Sequence, residues 1–194
     1  MKYLLLILIL TFCSLVQSQN CQTLPLKTPN FDCPNGAYKK DLDNVFPFWV
    51  DTWKGIVDNK EYTFEFVSFT YQMVSFSNGD NFYEDMLKCK FKVVDLTNNQ
   101  ILYNDLHVTN ITDFKIKLIS YRNNSDFFFL FNDDESNCYN TVEFFFTKNL
   151  LNPDQLFYEG FEYKDFISTE NCTFSNSRDI PIFLPARSLT LIRQ

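Results

Sequence analysis

Residues 82–95 read FYEDMLKCKFKVVD, with Lys88, Lys90 and Lys92 alternating against Leu87, Cys89, Phe91 and Val93. Successive side chains of an extended chain point to opposite sides, so this spacing turns charge toward water and apolar groups toward a core. A strand buried on one face accounts for it. Upstream, in the run 61–76, Tyr62, Phe64 and Phe66 alternate with Thr63 and Glu65. Asn78-Gly79 separates the two runs and marks a hairpin, because both residues tolerate positive φ. Downstream come further short runs at 101–108, 113–121, 126–131, 141–147, 155–163 and 188–192, cut by Asn98-Asn99, Asn110, Asn123-Asn124 and other polar stretches. In the run 113–121, Phe114, Ile116 and Leu118 alternate with Lys115 and Lys117.

Connections this short make sequence neighbours into spatial neighbours, so the expected order is up-and-down and antiparallel. An open sheet of so many strands leaves two edges of unpaired backbone, which closure removes. The expectation is therefore an all-β fold, an up-and-down antiparallel β-barrel of about eight to ten strands. A two-sheet sandwich is the rival, but it needs longer crossovers than most of these connections provide. Residues 19–47, rich in Pro and Asn, read as an irregular N-terminal arm, and residues 48–194 as the barrel domain.

The composition narrows the class. With 23 Phe, 4 Gly and 18% aromatic residues, the chain has the means to bury a core, unlike a collagenous or disordered one. Its 24 acidic and 17 basic residues give a net charge of -7, which speaks against nucleic acid as a partner. Residues 1–18 read MKYLLLILILTFCSLVQS, one Lys before an apolar run and a small-residue end, the layout of a secretory signal peptide. The run is too short for a membrane anchor, no later segment is long enough to span a bilayer, and the expected location is secreted and extracellular.

Cleavage of that leader removes Cys13 and leaves Cys21, Cys33, Cys89, Cys138 and Cys172. In an oxidising compartment five cysteines form two bridges and leave one thiol. Cys89 is the candidate for the free one because it lies on the apolar face of its strand, so Cys21, Cys33, Cys138 and Cys172 are the bridge candidates, in unassigned pairs. Asn110, Asn123 and Asn171 each open an N-x-[ST] triplet and are glycosylation candidates in a secreted chain.

The segment Phe48-Trp49-Val50-Asp51-Thr52-Trp53-Lys54-Gly55, followed by a polar hairpin and an aromatic strand, resembles the G-T-W-K-G first strand of the calycins, the lipocalins and fatty-acid-binding proteins. Pro25-Leu26-Lys27-Thr28, Pro34-Asn35-Gly36-Ala37-Tyr38, Tyr83-Glu84-Asp85, Ile101-Leu102-Tyr103 and Pro185 with Ser188-Leu189-Thr190-Leu191 extend the likeness. They are similar to a family of small secreted lipocalin-like proteins best known from bacteria, for which the resemblance implies a fold and no activity. It further implies that Trp53 plugs the closed end of the barrel beneath a guanidinium from Arg193 or Arg187. Asp51 stands where calycins usually carry Gly.

Catalytic chemistry finds little to work with. His107 is the only imidazole, and there is no CxxC, HExxH, nucleophile elbow or phosphate-cradling glycine loop. The acidic cluster Asp133-Asp134-Glu135 reads as a solvated loop tip rather than a calcium site or a glycosidase pair. No enzyme, cofactor or metal is expected. The Phe-rich runs 127–131 and 144–146 imply cover on both faces of their strands. From them the expected role is non-catalytic binding of a small hydrophobic ligand in the barrel, with a filled barrel acting as an extracellular structural or interaction protein as the alternative.

Overall fold

The computed structural model describes residues 22–122, 125–133, 137–167 and 170–194. The leader, Cys21, Asn123 and the Asp134-Glu135 part of the acidic cluster lie outside the described residues. The fold is all-β. Its strands are β1 (Thr23–Pro25), β2 (Tyr38–Lys40), β3 (Thr52–Val57), β4 (Lys60–Ser75), β5 (Asn81–Asp95) and β6 (Gln100–Asn104), followed by β7 (Ile116–Arg122), β8 (Asp126–Asp133), β9 (Tyr139–Lys148), β10 (Gln155–Ile167) and β11 (Leu189–Arg193).

All eleven belong to one sheet, and eight of them, β3, β4, β5, β7, β8, β9, β10 and β11, close it into a ring of antiparallel neighbours. Two seams in the ring are short. β5 meets β7 only at Lys88 opposite Lys117 and Cys89 opposite Ile116, and β11 meets β3 at Ile192 opposite Lys54 and Arg193 opposite Trp53.

Period-two patterning decides what lies inside. Phe64, Phe66, Phe91, Phe127, Phe129, Phe144, Phe146 and Tyr158 all point inward and are fully buried. Some of their rings pack edge-on, as Phe66 does with Phe146 at 5.1 Å and with Phe129 at 5.6 Å, and others stack, as Phe64 does with Phe91 at 5.7 Å; both arrangements suit the aromatic quadrupole. Each contributes about 1.5–3 kcal/mol by leaving water. The out-facing Phe145 is covered differently: its ring lies over Gly160, whose φ of 73° falls at an irregularity in β10 and where a Cβ would come within 2.2 Å of that ring.

Two expectations need correction. The arm is not irregular throughout, since β1 pairs in parallel with β2 and β2 in parallel with β5. Strands of three residues are too short to show a period; what holds this one is Asp85 on β5. Its carboxylate accepts from the Tyr38 hydroxyl, the Asp41 amide at 2.9 Å and the Tyr71 amide at 3.1 Å. Asp41 in turn accepts from the Val45 and Phe46 amides, which shapes the 3₁₀ turn Phe46–Phe48 and sets Phe46 and Trp49 in the core.

The second correction concerns the run 101–108, whose strand ends at Asn104 and stands outside the ring. Asp105 ends it. Its carboxylate accepts the Phe91 amide at 2.5 Å while its own amide donates to the Phe91 carbonyl at 3.1 Å, so one residue takes the place of a strand partner. Beyond it, the buried Lys90 donates to the carbonyls of Leu106 and Val108 and pairs with Glu65 at 3.0 Å.

Closure at the β3–β11 seam depends on Gly55. A Cβ there would lie 2.3 Å from the Thr190 carbonyl oxygen and 2.8 Å from Leu189 Cδ1. Gly55→Ala is expected to lower stability by about 2–3 kcal/mol through overpacking at a backbone atom that has no room to move. Gly79→Ala, where φ is 92° but nothing approaches, is expected to cost only about 1 kcal/mol of backbone strain. Urea unfolding of both variants checks the order.

Candidate functional site

At one end of the ring the arm brings Trp49 against Trp53. The Trp53 indole donates to the Trp49 carbonyl at 3.0 Å, and both side chains are wholly buried. Arg193 lies over Trp53, 4.4 Å from the ring centroid, and 5.3 Å from that of Phe48. Its guanidinium donates to Asp51 Oδ2 and to the Phe48 carbonyl, each at 3.0 Å, and lies 3.2 Å from Asp154. Asp51 thus serves as the arginine's anion. The Thr52 amide and then Arg193 hold its carboxyl below the ordinary range. Lys148 adds a second cation, 4.2 Å from the Phe48 centroid and 5.3 Å from that of Trp49. Arg187, the other residue considered for the cover, is instead exposed and pairs with Asp58 at 3.0 Å.

The remaining sequence candidates do not converge. Cys138 and Cys172 form a disulfide that ties the start of β9 to the segment after β10. Cys89 is a buried free thiol, pushed well up by that burial, and Cys33, a bridge candidate, is a half-buried free thiol. Asn110 and Asn171 are exposed. His107 is exposed and makes no hydrogen bond or ion pair among the described residues. Among the described residues no three His, Cys, Asp or Glu side chains gather to hold a metal ion, and no helix is long and apolar enough to cross a membrane.

The inward rings pack against one another, and a concavity lies in the wall. The outer edge of β5 pairs with β2 as far as Glu84 and with β7 from Lys88 onward. Past Lys117, β7 bulges between Leu118 and Ser120. The two strands diverge there, and the arm at Leu26 to Asn30 covers the opening from outside, leaving a cleft of about 760 Å³. Its apolar lining includes Phe46, Leu87, Leu118 and Tyr121, and its polar lining includes Lys27, Lys39, Lys88 and Lys117 with Glu84 and Asp85.

These charges are unevenly matched. Lys39 pairs with Glu84 at 3.5 Å and donates to Asn30, and Asp85 is taken up by its three donors. Lys27 lies over Tyr121 at 5.5 Å. Lys88 donates to the Ile111 carbonyl at 2.6 Å, and Lys117, directly opposite it, is exposed and has no ion pair among the described residues. Burial raises the Glu84 carboxyl; burial and then Lys117 lower the Lys88 ammonium. The sequence shows each lysine alternation but not the register that sets Lys88 against Lys117.

Comparison with protein-family models, with curated proteins and with solved structures finds no match to this chain.

Two outcomes follow from this geometry. Arg193→Ala is expected to lower stability by about 2 kcal/mol, having removed a cation-π contact and charge-assisted hydrogen bonds. Arg187→Ala, which removes only an exposed pair, is expected to change it by less than about 0.5 kcal/mol in the same melts. For Lys88, a pKa below its unfolded value means that the native state releases the proton first. Its charge therefore weakens the fold at neutral pH, and stability rises as pH climbs from the folded to the unfolded pKa. Lys117→Gln should move the Lys88 titration upward, read by NMR of its side-chain carbon beside the ammonium.

Proposed function

We propose that this is a secreted, non-catalytic binding protein with a lipocalin-like barrel, and that it takes a small, largely apolar molecule in the wall cleft rather than along the barrel axis. The observation that carries the reading is the cleft itself, whose 760 Å³ lies within the size range of ligand pockets and whose lining joins apolar floor to a few polar groups. The packed interior supports the change of place, because a ligand there would have to displace wholly buried aromatic rings. The lipocalin-like reading is supported by the ring of up-and-down strands and by the Arg193 cover over Trp53. Secretion is supported by the leader-like residues 1–18 and the Cys138–Cys172 bridge.

A second reading, an extracellular interaction protein with a filled barrel, is favoured by one feature. Leu150 and Leu151, 84% and 96% exposed, form an apolar tip at the turn between β9 and β10.

Titration with the neutral dye Nile red separates the two. Saturable one-site binding is expected, weakened about tenfold by Ser120→Trp, which places an indole in the cleft from an exposed backbone position. If Nile red does not saturate, or if Ser120→Trp leaves its affinity unchanged, the cleft is not the binding site. Concentration-dependent association abolished by Leu150→Ser with Leu151→Ser would then favour the interaction protein.

A further inference from the structure

We infer that this chain forms a twofold dimer by pairing the open edge of β4 with the same edge of a second copy, antiparallel, the axis passing between Tyr71 and Gln72. The inference stands apart from the cleft and needs no ligand.

β3 accompanies β4 only from Lys60 to Glu65, and the next backbone bond on that side runs from the Phe66 amide to the Asp51 carbonyl at 3.0 Å. Among the described residues no strand pairs with β4 on that side from Val67 to Ser75. Backbone groups of a strand point alternately to its two sides. The Phe66 amide points away from β5, so those of Ser68 and Thr70 do the same. Past the irregularity between Phe69 and Gln72, the direction is set by β5. There the Tyr83 amide donates to the Ala37 carbonyl of the arm at 2.8 Å, so Phe82 and Glu84 face β4 and their partners Val74 and Gln72. Met73 and Ser75 therefore face outward. Ser68, Thr70, Met73 and Ser75 are all exposed.

Shortness, proline and charge are the usual means of keeping an open edge from pairing. β1 has three residues and ends in Pro25, and β10 past Tyr158, where β11 leaves it, carries Glu159, Glu162, Lys164 and Asp165. From Phe66 to Gly79 there is neither charge nor proline. Such an edge is completed by the backbone of another strand.

The spacing of the outward residues selects that strand. Ser68, Thr70, Met73 and Ser75 follow at steps of two, three and two, the same in either direction. An antiparallel second copy sets Ser68 opposite Ser75 and Thr70 opposite Met73, each pair occurring twice about the axis, with irregularity facing irregularity at the centre. Four pairs that exchange two bonds each give about eight hydrogen bonds between the copies. A regular strand steps by two throughout and would match only one half. The net charge of -7 opposes association in general, but the first charges on either side in sequence, Glu65 and Asp80, fall outside the paired span. One edge meeting itself closes the assembly at two copies.

Sedimentation velocity of the purified protein over a range of concentrations tests the dimer, and amide exchange read by NMR tests its site. A monomer–dimer equilibrium at about micromolar concentration is expected. In the dimer the amides of Ser68, Thr70, Met73 and Ser75 should exchange at least about tenfold more slowly than in dilute protein, while those of Val67 and Phe69, which face β5, are protected in both. Thr70→Lys with Met73→Lys sets like charges opposite each other in both central pairs and should weaken the dimer at least about tenfold. Thr70→Glu with Met73→Lys, at the same two exposed positions, sets opposite charges there and should return the affinity to within about threefold of the unsubstituted chain. Protein that sediments as a monomer throughout overturns the inference. A dimer unaffected by Thr70→Lys with Met73→Lys, or one abolished by Leu150→Ser with Leu151→Ser, moves the contact elsewhere and overturns it as well. A dimer lost equally in both β4 variants overturns the pairing of Thr70 with Met73, and species larger than a dimer overturn the twofold closure.

Discussion

A backbone amide in a sheet edge can hydrogen-bond one neighbour at a time, and the outer edge of β5 is divided among three. β2 takes Tyr83 and Glu84, β7 takes Lys88 and Cys89, and β6 takes Lys92 to Asp95. The rest of the architecture follows from this division. Because β7 holds only the middle of the edge, the ring closes there by two residue pairs. The arm then has room to join the sheet at one end of β5 and the β5–β6 hairpin to leave the ring at the other. Two aspartates mark the boundaries. Asp85 fastens the arm and the β4 irregularity to the first part, and Asp105 satisfies Phe91 where the ladder passes to the last.

Such an arrangement costs hydrogen bonds at the seam, and the aromatic interior offsets the loss. Eight large buried rings bind the strands across the ring regardless of how many ladder bonds each neighbour makes. A guest along the ring axis would have to displace these wholly buried side chains. The wall cleft lies where the ladder itself fails, between the part of β5 held by β2 and the part held by β7. The wall cleft is in this sense the complement of the filled core.

Local periodicity made most of the ring legible. Tyr62, Phe64 and Phe66 on β4 and the lysine alternation on β5 each specify a half-buried strand, and Asn78-Gly79 specifies their hairpin. What escaped was either too short or too distant for a local signal. Tyr38–Lys40 has no period to read, and the end of β6 at Asn104 depends on a carboxylate reaching back 14 residues to Phe91. The cation over Trp53 was half legible. The resemblance admitted either Arg193 or Arg187, and only the register of β11 against β3, with Arg193 opposite Trp53, distinguishes them. The cleft was not legible at all, because it is produced by the β5–β7 register and by the arm.

That register also explains why the charge pattern reads differently in one dimension and in three. Along the chain, lysines at 88, 90, 92, 115 and 117 look like two solvated faces of the same kind. In the fold they have separate fates. Lys90 is buried and bound to Glu65 and two carbonyls, while Lys88 and Lys117 are set opposite each other across one of the two short seams of the ring. Nothing in strand propensity or core packing requires two ammonium groups at that joint, and the sheet would be stronger with an acid in either place. Both lysines line the wall cleft, and it is the β5–β7 register, not the local alternation of either strand, that sets them opposite each other.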